Sequence, residues 1–122
     1  MDKSTISHLD FSRHGDRALG ATLFQPNGAG PFPAVVSVHG GAWTSGNRTG
    51  NADLDLALCD AGIIVLAVDF RMPPEAAYPA AVQDVQAAIR WLKRHAFELG
   101  TQPALVGAVG SSSGGQTALL CA

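Results

Sequence analysis

Ser112 stands at the centre of Gly110-Ser111-Ser112-Ser113-Gly114-Gly115, a G-x-S-x-G arrangement between an apolar run and the helix-compatible segment Gln116 to Ala122. A serine in that setting suits nucleophilic chemistry. The glycines permit a tight, strained turn that projects the central hydroxyl from the carboxyl end of a sheet, and the following helix points backbone N–H groups at developing negative charge. Taken alone, the segment reads equally as a Gly/Ser-rich strand-to-helix turn. Other glycine-loop readings fail: no Lys-Ser/Thr pair follows, as a phosphate-cradling loop demands, and the spacing does not fit a dinucleotide fingerprint.

A second segment shifts the balance. An earlier apolar run leads directly into His39-Gly40-Gly41-Ala42-Trp43, whose small residues let backbone N–H groups approach a substrate oxygen. An oxyanion hole needs such donors. In a doubly wound sheet, ligands sit outside the carboxyl ends of strands, so loops leaving two neighbouring strands can face one reacting carbonyl. Gly41, Ala42 and Ser113 are then the expected N–H donors. Trp43 reads either as lining for an acyl pocket or as packing under the loop.

The elements that must position these residues follow from periodicity. Leu9 and Phe11 before Gly15-Asp16, and alternating Leu19, Ala21 and Leu23 after it, predict an antiparallel hairpin with one apolar face. Gln25 to Pro31 is a Gly/Pro-rich surface turn. Ala34 to Val38, Ile63 to Val68 and Ala104 to Val109 are short apolar runs that suit strands buried on both faces. Within Asn51 to Ala61 a helix is expected with Leu54, Ala57, Leu58 and Ala61 on one face and Gly62 as its stop. From Pro79 to Leu99, Val82, Val85, Ile89, Leu92, Ala96 and Leu99 recur at spacings of three and four, with Pro79 at the first helical position and Gly100 after the last turn. Strand and helix alternation predicts the α/β class: a mostly parallel sheet with flanking helices after the hairpin, joined by right-handed crossovers.

In this order the motifs resemble the hormone-sensitive-lipase-like and related esterase branches of the α/β-hydrolase family. His39-Gly40-Gly41-Ala42 resembles the family's HGGG loop with its last glycine replaced. Val68-Asp69-Phe70-Arg71-Met72-Pro73-Pro74-Glu75, then Tyr78-Pro79-Ala80-Ala81 and Asp84, resemble D-Y-R-x-x-P-E…F-P-A…D, and Gly110 to Gly115 resembles G-D-S-A-G-G. The resemblance runs from His39 onward and implies a carboxylic-ester hydrolase acting through an acyl-enzyme on Ser112, with a small-molecule ester as substrate and no metal or cofactor. His39, Gly40, Gly110 and Gly114 support the motifs. Ala42 retains its N–H where the third glycine stood, with tighter limits on the acyl group. Asp69, Arg71, Glu75 and Asp84 are expected to hold the loop after the second apolar strand.

The family places its acid and base well after the nucleophile, whereas this chain ends ten residues beyond Ser112. The expectation is therefore an N-terminal, partial α/β-hydrolase domain over residues 1–122, inactive alone because Ser112 lacks its base. His39 belongs to the oxyanion loop, where the resemblance implies a structural role, and His8, His14 and His95 read as solvated surface. The resemblance places the strand ending at Gly110 in mid-sheet, so its exposed apolar edge predicts self-association or dependence on a partner. Two alternatives stay open: a non-catalytic small-molecule-binding module on the same fold, and a peptidase or amidase of the same superfamily.

Composition agrees with a packed domain. Hydrophobic residues make up 47% of the 122 and charged residues 15%, a balance unlike that of disordered chains. A net charge of −2, without a basic stripe, argues against nucleic acid or acidic membranes as partners. Cys59 and Cys121 lie in expected helices without metal-ligand spacing and read as small buried residues. Met1 to Gly20 has no signal-peptide core, so a soluble, cytoplasmic protein is expected.

Overall fold

The computed structural model describes residues 4–42 and 44–121. The alternating apolar residues at the start form β1 (Thr5–His14) and β2 (Arg17–Gln25), an antiparallel pair closed by Gly15-Asp16 with Gly15 at φ 58°. The register shifts between Asp10 and Ser12, so β1 carries one extra residue there. The apolar runs form β3 (Ala34–Val38), β4 (Ile64–Val68) and β5 (Val106–Gly110). The sheet order is β1-β2-β4-β3-β5, with β2 antiparallel to β4, and β3 parallel to both β4 and β5.

Helices cover both faces. Side chains of alternate parity on β3 and β4 separate into two cores. Val36, Val38, Ile64, Leu66 and Val68 pack with Val85, Ala88 and Leu92 of α2 (Ala80–Arg94), while Val65 and Ala67 pack with Cys59 of α1 (Ala52–Asp60). The last helix, α4 (Ser113–Leu120), lies against β5, β3 and α2.

Four expectations are corrected. The buried residues of α1 are Asp55 and Cys59, whereas Leu54 is 42% exposed and Ala57 and Ala61 also face out. The cause is polar: Ser37 Oγ donates to Asp55 Oδ1 at 2.6 Å and fixes the helix's rotation. The long amphipathic segment begins at Ala80, with Pro79 as its N-cap, and is interrupted at His95, leaving α2 and a short α3 (Ala96–Leu99). His95 is not simply solvated: it is half-buried, stacks on Trp91 at 4.2 Å, and its Nδ1–H donates to Trp91 O. Gly100 follows at φ 86°, the left-handed stop expected of it. Finally, Pro103–Leu105 form a 3-10 turn before β5, and Gly107 and Ala108 are exposed, because β5 pairs only with β3 among the described residues.

Candidate active site

The site begins with a register. Val38 and Gly110, the last residues of β3 and β5, are paired, so the loops leaving them run side by side at the carboxyl edge of the sheet. Ser111 N–H donates back to Val38 O at 3.3 Å, which joins the two loops at their roots. Both loops are tight. A Cβ on Gly40 would lie 3.0 Å from Ser111 O and 3.2 Å from Ser112 Cβ, and one on Gly114 would lie 2.2 Å from Val38 O. Gly110 has the same constraint against Gly114 O, at 2.4 Å. The glycines of both motifs thus let backbone pack on backbone.

Ser112 is exposed and sits at φ 53°, ψ −126°, directly before α4. A non-glycine residue there stores on the order of 1–3 kcal/mol of strain, which persists where the surroundings over-determine it. Its carbonyl accepts from Gly115 N–H at 2.9 Å, so the strain belongs to the start of the helix. Among the described residues Ala42 is the other non-glycine residue at positive φ, also 53°, and follows Gly41 at φ 140°. Gly41 O accepts from Thr44 N–H, Ser45 N–H and Ser45 Oγ, which curls the loop and leaves the Gly41 and Ala42 N–H groups without a backbone acceptor among the described residues. Ser113 is buried at the first position of α4. Trp43 lies outside the described residues.

His39 is placed as scaffold. Its ring is 3% exposed and stacks on Phe70 at 4.4 Å, and its Nδ1–H donates to Gly40 O at 2.7 Å. His8 and His14 are exposed on β1, where His8 Nδ1 bonds Thr22 Oγ1 and His14 Nε2 lies 3.3 Å from Asp84 Oδ1. Among the described residues none of the four histidines bonds the Ser112 hydroxyl.

The loop after β4 is held as the four acidic and basic positions suggested, through partners that spacing did not reveal. Arg71 donates to Asp84 through its backbone N–H, Nε and Nη2 at 2.8–2.9 Å, and Asp84 is only 1% exposed. That hydrogen bonding raises the Arg71 pKa above its ordinary value. Asp69 accepts from Arg48 N–H and Nη1, and Glu75 from Arg17 at 2.8 Å. Between this loop and α4 lies a mainly apolar pocket of about 210 Å³, lined by Phe70, Met72, Tyr78, Val82 and Leu120 and reached by Gly40 and Ser113.

One feature lay beyond the sequence patterns. Asn51, Ser37 and Asp55 connect to Ser111 through hydrogen bonds, and the only sequence signals were a serine inside an apolar strand and a carboxylate on an otherwise apolar helix. Burial pushes the Asp55 pKa up, and the Ser37 bond only partly opposes it. Among the described residues no cluster of His, Cys, Asp or Glu could hold a metal, and no helix is long and apolar enough to cross a membrane.

A strained serine between a parallel strand and a helix, beside a glycine-rich loop from the neighbouring strand, defines the α/β-hydrolase esterase class of fold. The BD-FAE family model matches residues 22–122, and the chain belongs to that family. It is 43% identical over 104 residues to the carboxylic ester hydrolase LipN of Mycobacterium tuberculosis, covering 83% of this chain and 28% of LipN. The structure of a hyperthermophilic esterase from Pyrobaculum calidifontis superposes with a TM-score of 0.87 at 28% identity, over 96% of this chain and 37% of the esterase. A bacterial heroin esterase superposes with a TM-score of 0.85 at 30% identity, over 94% of this chain and 37% of that one. The chain thus spans well under half the length of these relatives.

Proposed function

We propose that this chain carries the nucleophile and oxyanion hole of a serine carboxylic-ester hydrolase. Ser112 Oγ attacks the ester carbonyl, and the N–H groups of Gly41, Ala42 and Ser113 receive the charge that develops on its oxygen. The observation that carries the reading is Ser112 at φ 53°, held at the head of α4 beside Gly40. Hydrolase relatives such as LipN support the substrate class. The apolar pocket beside Gly40 and Ser113 suits an alkyl portion of a small ester.

The general base and the acid that orients it come, in this reading, from residues outside these 122, which form the N-terminal part of one α/β-hydrolase domain. His39 is occupied by Gly40 and Phe70, and among the described residues His8, His14 and His95 make their polar contacts elsewhere. The chain alone is then inactive, and the outward edge of β5, bordered by Leu119 at 75% exposure, is a route to self-association. Two unpaired cysteines fit a reducing compartment such as the cytoplasm.

The test is turnover of p-nitrophenyl acetate by the full-length protein and its Ser112→Ala variant. The variant should lose at least ~10⁴-fold in kcat, as enzymes stripped of their serine nucleophile do. Retained turnover would exclude Ser112 as nucleophile, and an inactive full-length protein that binds small esters would favour a binding module.

A further inference from the structure

Asn51 occupies the N-cap of α1 yet makes no side-chain capping bond. Its amide is used elsewhere, and each bond it makes has one direction. Ser111 Oγ donates to Asn51 Oδ1 at 2.9 Å; Asn51 Nδ2 donates to Ser37 Oγ at 3.4 Å and to Val38 O at 3.3 Å; Ser37 Oγ donates to Asp55 Oδ1 at 2.6 Å. Apart from the branch to Val38 O, every donor points toward Asp55. Chains aligned in this way polarise one another, so a change at the terminal acceptor is felt along them. Asp55 is 0% exposed and its Oδ2 has no partner among the described residues, so a proton on Asp55 would sit on Oδ2 and leave Oδ1 to Ser37.

We propose that Asn51 is a positioning residue for the nucleophile turn, joining Ser111 to the buried Asp55 carboxyl through a directional hydrogen-bond chain that fixes Ser112 against the end of β3. The functional meaning of this link rests on the reading of Ser112 as nucleophile; its physical existence does not. Three elements meet at Asn51. Val38 O accepts from both Asn51 Nδ2 and Ser111 N–H, so one amide ties α1, the root of the oxyanion loop and the residue before Ser112. The chain lies on the face of the sheet opposite the apolar pocket, so it can set the backbone at Ser112 without touching substrate.

Titration of Asp55 tests the link because its surroundings are simple. β3 and β4 carry no titratable side chain, and β2 carries only Arg17, ion-paired with Glu75. On α1 itself stand Asp53, Cys59 and Asp60, and in the preceding loops His39 and Arg48, the latter paired with Asp69.

The experiment follows the Asp55 ¹³Cγ signal and the ¹⁵N amide shifts of Ser111 and Ser112 across pH in the full-length protein. In the wild type the two amides should shift with the same midpoint as Asp55, and Asp55→Asn should abolish that shift. In Asn51→Ala, Asp55 should still titrate while the amides no longer follow it. Should Asn51→Ala not fold, Ser111→Ala decides, since it removes one hydroxyl and should reduce the Ser112 shift. Amides that ignore Asp55 in the wild type, or that follow it unchanged in the folded variant, would overturn the proposal. Neither outcome bears on whether Ser112 is the nucleophile, which the ester assay decides separately.

Discussion

Gly114 and Gly115 are neighbours in the first turn of α4, and replacing each by alanine should have opposite effects. A Cβ on Gly114 would lie 2.2 Å from Val38 O and 2.4 Å from His39 O. Both obstacles are backbone, so no rotamer change relieves them, and α4 must move off β3 by about 1 Å to restore ordinary contact. Overpacking of this kind costs ~1–3 kcal/mol, and with rigid atoms on the other side the upper part of that range applies. Alanine's helix preference returns about 1 kcal/mol, leaving a net loss of about 1–2 kcal/mol. For Gly115 the added Cβ would meet Gly110 O at 3.4 Å, ordinary contact, so the helix term stands alone and the substitution should be neutral or stabilising by up to ~1 kcal/mol. Urea denaturation of the two variants measures this as midpoint shifts of opposite sign with unchanged m-values. Equal shifts in both would refute the claim that α4 is packed backbone-to-backbone on the end of β3.

Three further predictions follow from the charged and strained groups. Arg71→Ala should destabilise by ~3 kcal/mol, the low end for breaking a buried pair, because it removes the guanidinium from the buried Asp84 carboxylate and leaves it the residue-71 backbone N–H and His14, whereas Glu75→Ala, at an exposed pair with Arg17, should cost ~0–1 kcal/mol; thermal melts separate the two. Burial raises the Asp55 pKa from its ordinary 3.8, so the native state holds the proton more tightly and stability is lost as pH rises through the raised value. Asp55→Asn should therefore gain in melting temperature over the wild type between acid and neutral pH, and a difference that stays flat would refute the assignment. Ala42→Gly should relax the positive-φ turn and raise kcat/KM in the full-length protein for bulky acyl esters relative to acetates, as paired ester assays would show.

The parts of this fold that are legible in the sequence are those written in apolar pattern. β3 is the run from Ala34 to Val38 unaltered, β4 loses only Ile63, and Gly100 stops its helix where a left-handed residue was expected. Polar contacts across the chain are what the pattern cannot carry. Leu54, Ala57, Leu58 and Ala61 form an apolar stripe, yet with Ser37 bonded to Asp55 the helix buries Asp55 and Cys59, and of the stripe only Leu58 packs inward. The spacing of apolar residues continues through His95, but α2 ends at Arg94, and the His95 ring folds back to share the Trp91 carbonyl with its own backbone N–H. At the site, Ser112, Gly40, Gly110 and Gly114 were readable because their backbone demands glycine and a strained turn at fixed positions. Arg48, Arg17 and His14 were not, since each reaches its acidic partner from a distant segment.

The most direct measurement of the central claim is fluorophosphonate labelling followed by peptide mapping, on the full-length protein and on the 122-residue chain under one set of conditions. The account predicts label on Ser112 in the full-length protein, absent after Ser112→Ala, and none on the folded 122-residue chain. Label on another residue would contradict Ser112 as nucleophile, and Ser112 labelled at full rate in the short chain would contradict a base lying outside it.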